Sequence, residues 1–182
     1  MYHIRSWLTK HILRRFQVQL FPYCLVIVDM QPRFAAANDV NTQNEIIRLV
    51  MQARRDNAII IVLEYYNRFR DYPPSQQRTV KCIRDAYADY PHAYTVEKMS
   101  DDGSDELLET LREICDEPED MSFKVCGVNW GACVEATIVG MVSDHYIDGG
   151  NVQVFQAACN QPTYWSWGHS LQVFQSFNVS VV

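Results

Sequence analysis

The segment FKVCGVNWGACVEAT, from Phe123 to Thr137, contains a complete strand–turn–helix unit. Its first residues form an apolar run, which is typical of a strand buried on both faces of a parallel sheet. Small residues then lead to Cys133, which begins a stretch with helical character. A helix N-terminus stabilises negative charge and therefore favours a reactive thiolate. The segment predicts a βα unit that carries a candidate nucleophile, with a small buried core cysteine as the alternative.

Strands and helices alternate along the rest of the chain. Strands are predicted over 23–29, 57–65, 93–98, 121–128, 149–157 and 177–182. Helices are predicted over 41–56, 104–115, 131–146 and within 164–175, with Asn41 or Thr42 and Ser104 as candidate caps. The segment 67–92 is predicted to be partly irregular because it contains Pro73 and Pro74. The alternation predicts an α/β, three-layer Rossmann-like fold with a mainly parallel central sheet flanked by helices.

Reactive side chains follow three of the predicted strands. Asp29, Lys98 and the turn that leads to Cys133 each lie at or just past the carboxyl end of a strand. Ligands of open α/β sheets bind at that edge. Each residue alone has an ordinary explanation, as a turn residue, a solvated lysine or a core thiol. Their shared position predicts that they converge on one edge of the sheet.

Four motifs resemble those of the isochorismatase-like cysteine hydrolases. LVIVDMQPRF (25–34) is similar to the opening motif of that family, in which an apolar strand delivers an aspartate. TVEKMSDDG (95–103) lies where the family carries its lysine, and VCGVNWGACVEAT (125–137) resembles the sequence around its nucleophile. GGNVQVFQAACN (149–160) is similar to the strand that follows the cysteine helix. The resemblance extends from Tyr23 to Val182 and keeps the order Asp, Lys, Cys.

The resemblance implies a role for each reactive residue. Cys133 would be the nucleophile, Asp29 would accept its proton, and Lys98 would orient and stabilise the other two. Attack on an amide or related carbonyl would give an oxyanion, then an acyl-thioenzyme that water hydrolyses. The backbone N–H groups of Asn129 and Cys133 would form the oxyanion hole, with a cis peptide bond between Val128 and Asn129. We therefore expect hydrolysis of a C–N bond, or of a related ester or ether bond, in a small molecule.

The chain departs from its nicotinamidase relatives at their metal site. Those enzymes hold a metal with an aspartate and histidines, whereas the corresponding LEYYNRFRD (63–71) offers Glu64 and no histidine. The five histidines of the chain are isolated, without HxH or HExxH spacing. We expect a metal-independent enzyme with no cofactor. Many relatives also carry an aromatic residue and a glycine soon after the lysine; here the chain reads Asp101, Asp102, Gly103, so the pocket is expected to differ from that of well-known members.

Four residues that flank the strand ends are candidate walls of the substrate pocket: Phe34, Tyr65, Arg68 and Trp130. Ordinary packing or exposure on a loop is the alternative for each. Arg68 or Arg70 is also a candidate to bind a substrate carboxylate through a bidentate contact.

Two other functions remain open on the sequence alone. A catalytically silent family member would act as a binding or scaffold protein. A thiol redox protein would oxidise Cys133 and would use Cys126 or Cys159 as a resolving cysteine. Retention of the aspartate, lysine and cysteine together favours the hydrolase.

Composition limits the class of protein. The 182 residues are 48% hydrophobic, which suits one packed domain. A net charge of −6 argues against nucleic acid as a partner, and every apolar run falls short of the ~20 residues that span a bilayer. The six cysteines are scattered without a CxxC pair, which favours a reducing, cytoplasmic location. The resemblance implies a homo-oligomer, and YWSWGH (164–169) is a candidate interface, with core packing as the alternative.

The first twenty residues differ from the rest of the chain. Residues 1–20 contain basic residues and no acidic ones, and Ile4, Trp7, Leu8 and Ile12 recur at helical spacing. We interpret them as a basic amphipathic extension docked on the domain or on another subunit. A mitochondrial presequence and a membrane-surface helix are the alternatives. The hydrolase domain is then expected over residues 21–182.

Overall fold

The computed structural model describes residues 21–66, 72–162 and 166–182. The predicted N-terminal extension, Arg68, Arg70 and part of the 164–169 segment lie outside these residues. Within the described ranges, no helix combines the length and the apolar character needed to cross a membrane.

Six parallel strands form the central sheet, in the order β3-β2-β1-β4-β5-β6. The strands are β1 (Cys24–Val28), β2 (Ile59–Tyr65), β3 (Ala93–Lys98), β4 (Phe123–Val128), β5 (Val152–Asn160) and β6 (Ser180–Val181). Their side chains are buried throughout β1 and almost throughout β2 and β4, as expected of strands covered on both faces. The predicted α/β architecture is confirmed.

Helices cover both faces of the sheet. They are α1 (Val40–Asp56), α2 (Pro74–Gln77), α3 (Lys81–Tyr87), α4 (Ser104–Ile114), α5 (Glu135–Ser143) and α6 (Trp167–Ser176). Single turns of 3-10 helix span Ala35–Asn38, Pro118–Asp120 and Gly149–Asn151, and a π-helical turn spans Trp130–Val134. Helices α1 and α3 pack together, whereas α5 packs against α4 and α6. With right-handed crossovers, this strand order places the two groups on opposite faces.

Two predicted helix caps are wrong. Helix α1 is capped by Asp39, whose Oδ1 accepts a hydrogen bond from the Thr42 N–H at 2.8 Å. Helix α4 starts at Ser104 itself, and the Ser104 N–H donates to Oδ1 of Asp102 at 2.7 Å. In both helices a carboxylate just before the predicted residue satisfies an N–H group of the first turn, which also suits the positive end of the helix dipole.

The chain leaves β4 through two residues with positive φ. Gly127 has φ 134° and Asn129 has φ 62°, a region that glycine and asparagine tolerate better than other residues. The peptide bond between Val128 and Asn129 is trans, as are the others in the described residues, so the predicted cis peptide is wrong. The left-handed conformation at Asn129 turns the chain into the π-helical segment that carries Cys133.

Candidate active site

The strand order creates a switch point between β1 and β4. From β1 the chain runs through β2 to β3 on one side, and from β4 through β5 to β6 on the other. A crevice is expected beyond the carboxyl ends of the two central strands. Asp29 directly follows β1, and Asn129 directly follows β4. The predicted reactive residues therefore meet where α/β sheets place their ligands.

Asp29 and Lys98 form a fully buried ion pair. The Lys98 Nζ lies 3.1 Å from Oδ2 of Asp29, and neither side chain has exposed surface. Nζ also donates hydrogen bonds to the backbone carbonyls of Ser100 and Asp101, each at 2.9 Å, and lies 5.4 Å from the centre of the Tyr65 ring. Lys98 ends β3 and so reaches Asp29 across the intervening strand β2. The ammonium is thereby fixed between the carboxylate and two carbonyl oxygens.

The Asp29 carboxylate keeps free capacity to accept a proton. Nζ of Lys98 is within ion-pair distance of Oδ2, but neither carboxylate oxygen accepts a well-aligned hydrogen bond from a described residue. Burial raises the pKa of the Asp29 carboxyl above its ordinary value, and the Lys98 charge opposes this rise. A carboxyl group with a raised pKa is a stronger base than an ordinary one.

Cys133 is buried next to Asp29, in the π-helical turn. Its Sγ lies 3.6 Å from Oδ1 of Asp101 and 3.8 Å from Nδ2 of Asn129. Burial raises the pKa of the thiol above its ordinary value; the negative charge of Asp29 adds to this and the Lys98 charge opposes it. Together these effects disfavour the thiolate. Burial and the two carboxylates outweigh the lysine and the helix N-terminus, which we expected to favour the thiolate.

The turn before Cys133 is fixed from two sides. The carbonyl of Asn129 accepts hydrogen bonds from the N–H groups of Ala132 at 2.9 Å and Val134 at 3.3 Å. The Gly131 N–H donates to Oε1 of Gln161, at the end of β5, at 3.3 Å. These hydrogen bonds fix the backbone of the turn, which contains the N–H groups of Asn129 and Cys133 that were predicted to form the oxyanion hole.

A family model described as Isochorismatase domain matches residues 23–181. The chain belongs to the isochorismatase family. No curated protein sequence matches it. The family assignment confirms the resemblance inferred from the motifs around Asp29, Lys98 and Cys133.

Solved structures of isochorismatase-like proteins share the fold. The nicotinamidase from Staphylococcus aureus superposes with a TM-score of 0.71 at 18% identity, over 89% of this chain and 98% of the other. The N-carbamoylsarcosine amidase from Thermoplasma acidophilum gives 0.66 at 14% identity, over 88% and 95%. The MAR1 ribonuclease from Caenorhabditis elegans gives 0.69 at 16% identity, over 88% and 77%. At such low identities the likeness establishes the fold alone.

Phe34 and Tyr65, two of the predicted pocket residues, lie beside an arginine that sequence reasoning missed. Their ring centres are 6.5 Å apart, and the Arg33 guanidinium lies 4.9 Å from Phe34, 5.2 Å from Tyr65 and 5.0 Å from Tyr72. Arg33 also donates to the backbone carbonyl of Tyr65. The positive charge of Arg33 opposes the rise that burial causes in the pKa of Asp29. Arg33 lies in the opening motif LVIVDMQPRF, and this position could have indicated from the sequence that it is near the site.

Trp130 is a core residue in this isochorismatase-family protein. Its side chain has no exposed surface. The indole lies 4.9 Å from the ring of Trp167 and 5.1 Å from that of Phe174, both on α6. The structure therefore favours packing over the expected place in the pocket wall. The bulky side chain anchors the cysteine turn to α6 instead.

Glu64, the residue in the stretch that corresponds to the nicotinamidase metal site, has a structural role. The buried carboxylate accepts hydrogen bonds from the Thr79 N–H at 2.6 Å and from Arg78 at 3.1 Å. Among the described residues, no group of three or more His, Cys, Asp or Glu side chains is arranged to hold a metal ion. The described part of this stretch therefore offers no ligand set of the kind expected for the nicotinamidase metal.

Proposed function

We propose that this isochorismatase-family protein is a metal-independent cysteine hydrolase that cleaves an amide or carbamoyl C–N bond of a small molecule. The observation that carries the proposal is the buried Asp29–Lys98 ion pair in contact with the Cys133 thiol. The nicotinamidase and N-carbamoylsarcosine amidase among its structural neighbours support the choice of bond.

Acylation begins from the protonated thiol. As Sγ of Cys133 attacks the carbonyl carbon, its proton passes to the Asp29 carboxylate. In this proposal the backbone N–H groups of Asn129 and Cys133 receive the oxyanion, with the peptide bond before Asn129 in the trans form. Asp29 then gives the proton to the leaving nitrogen, the C–N bond breaks, and the acyl group remains on Cys133 as a thioester.

Deacylation uses the same groups in reverse. Asp29 accepts a proton from water, the resulting hydroxide attacks the thioester, and the C–S bond breaks. The proton returns from Asp29 to the departing sulfur, and the acid product leaves. Lys98 keeps its positive charge throughout and balances the charge of whichever group is ionised.

The burial of the ion pair favours catalysis over a silent scaffold. Moving a carboxylate and an ammonium out of water is costly, and a buried ion pair is commonly no more stabilising than apolar packing. A binding protein would gain little stability from Asp29 and Lys98. A buried carboxylate that can accept a proton from a neighbouring thiol is, in contrast, useful for catalysis.

The redox alternative finds less support. Cys126 and Cys159 are both buried. Burial raises the pKa of Cys126 above its ordinary value and that of Cys159 to about 12, so neither sulfur is readily available as a thiolate. A resolving cysteine is normally accessible and easily ionised.

The test is amide hydrolysis by matched variants. Wild type, Cys133→Ala, Lys98→Met and the control Cys82→Ala are incubated with a panel of small primary amides and carbamoyl compounds, and ammonia release is measured after treatment with a chelator. Cys82 is exposed on α3, so we expect its variant to match wild type. Loss of Cys133 should lower the rate by at least about a thousandfold. Hydrolysis that persists in Cys133→Ala, or that the chelator abolishes, would refute the proposal.

A further inference from the structure

The Cys133 thiol contacts a second carboxylate, that of Asp101. Oδ1 of Asp101 lies 3.6 Å from Sγ. Asp101 is an exposed residue, whereas Asp29 is fully buried. A substrate bound at the sulfur would therefore lie close to the carboxylate of Asp101.

The turn that carries Asp101 is anchored at several points. The Asp101 carbonyl accepts a hydrogen bond from Nζ of Lys98 at 2.9 Å. The next residue, Asp102, accepts hydrogen bonds from the Ser104 N–H at 2.7 Å and from the Ser100 hydroxyl. The Gly103 N–H donates to Oγ1 of Thr137, on α5, at 3.2 Å. The backbone next to the Asp101 carboxylate is thus tied to the catalytic lysine and to the helix that follows Cys133.

Among the described residues, the cations near the thiol have other partners than the Asp101 carboxylate. Lys98 lies against Asp29 at 3.1 Å, and Arg33 is packed among three aromatic rings. None of the ion pairs between described residues involves Asp101. A cationic group that comes to rest beside the sulfur would supply the missing positive charge.

We propose that Asp101 makes the site selective for amides that carry a positively charged nitrogen close to the scissile carbonyl, and that it disfavours amides with a carboxylate there. The proposal rests on the hydrolase function and names the substrate class of the same site. A unit charge about 5 Å from Asp101, largely screened by solvent, should change the rate about fivefold in each direction.

The same contact links substrate charge to activation of the nucleophile. The negative charge of Asp101 is one of the causes that raise the pKa of Cys133. A bound ammonium group neutralises that charge and so stabilises the thiolate as it forms. A cationic substrate would assist its own attack, whereas an anionic one would oppose it.

Two thiol reagents of opposite charge test the proposal without any need for turnover. Methanethiosulfonates that carry either a 2-aminoethyl or a 2-sulfonatoethyl group react with the sulfur to form a mixed disulfide and release methanesulfinate. Rates at Cys133 are followed by peptide mass spectrometry in wild type, Asp101→Asn, Asp101→Glu and Asp116→Asn. Asp116 is an exposed carboxylate between α4 and β4, at the opposite edge of the sheet, and is the matched charge control.

We expect wild type to prefer the cationic reagent at Cys133. The preference should fall about fivefold or more in Asp101→Asn and persist in Asp101→Glu and Asp116→Asn. An unchanged preference in Asp101→Asn would overturn the proposal. The modification rate at the exposed Cys82 reports any general effect of the variants on reagent access.

Three matched amides complete the test: glycinamide, acetamide and malonamate, which are cationic, neutral and anionic. We expect kcat/KM to decrease in that order in wild type and to become level in Asp101→Asn. Hydrolysis with the same order in both proteins would refute the role of Asp101 and leave the hydrolase intact. Failure to hydrolyse any of the three, with the reagent preference still dependent on Asp101, would instead refute the hydrolase.

Discussion

The Cys133 thiol lies between two carboxylates that act on it in different ways. Asp29 is buried and paired with Lys98, whereas Asp101 is exposed. Both raise the pKa of the thiol, but only Asp29 has a neighbouring ammonium to balance a proton transfer. At the residue scale, this arrangement suits the proposed transfer of a proton during attack better than it suits a stable thiolate.

Asp29→Asn should separate thiol ionisation from catalysis. Loss of the negative charge lowers the pKa of Cys133, because the Asp29 carboxylate disfavours the thiolate. Alkylation of Cys133 by iodoacetamide should then begin at lower pH than in wild type. Amide hydrolysis should nevertheless fall about 10²- to 10⁴-fold, since the proton acceptor is gone.

Peptide-resolved alkylation between pH 6 and 10, together with ammonia release, measures both effects. Asp116→Asn is the control: it removes an exposed carboxylate between α4 and β4, so its alkylation profile and its hydrolysis rate should match those of wild type. If Asp29→Asn hydrolysed the amide as fast as wild type, Asp29 would not be the base.

At the scale of elements, the turn after β4 brings the thiol close to β1. Gly127 has φ 134°, and an added Cβ would lie 2.2 Å from the carbonyl oxygen of Val28. That close approach brings the end of β4 against the strand that delivers Asp29. Asn129, in the left-handed region, then directs the chain into the π-helical turn. The irregular backbone is therefore what brings Cys133, the proposed nucleophile, close to Asp29, the proposed base.

Gly127→Ala should destabilise the protein by about 2–4 kcal/mol, because the new methyl group meets backbone and the φ value suits glycine. Urea denaturation measures the change. Gly168→Ala is the matched control: Gly168 lies in the first turn of α6, and its added Cβ would meet Oγ of Ser166 at 3.7 Å, an ordinary contact. The control should be neutral or slightly stabilising. Equal effects of the two substitutions would contradict the role given to the turn.

At the scale of the whole molecule, the sheet and the meeting of Asp29, Lys98 and Cys133 could be predicted from the sequence. Long apolar runs indicate strands that are buried on both faces of the sheet. Because ligands of open α/β sheets bind beyond the carboxyl ends of the strands, the residues that follow these strands are expected to meet there.

Features that depend on how separate segments come together could not be predicted. The contact of Asp101 with Sγ of Cys133 joins the turn after β3, which Lys98 holds through the Asp101 carbonyl, to the turn after β4. The burial of Trp130 depends on the position of α6. The raised pKa of the thiol reflects burial, which the local sequence does not specify.

The most direct test of the central claim is the mass of the protein during turnover. The panel amide that wild type hydrolyses fastest is mixed with the protein, and the reaction is stopped with acid after a few milliseconds to seconds. The account predicts a mass increase equal to one acyl group, located on Cys133, that disappears once the substrate is exhausted and never forms in Cys133→Ala. Substrate hydrolysis with the acyl group on another residue, or undiminished hydrolysis by Cys133→Ala, would contradict it.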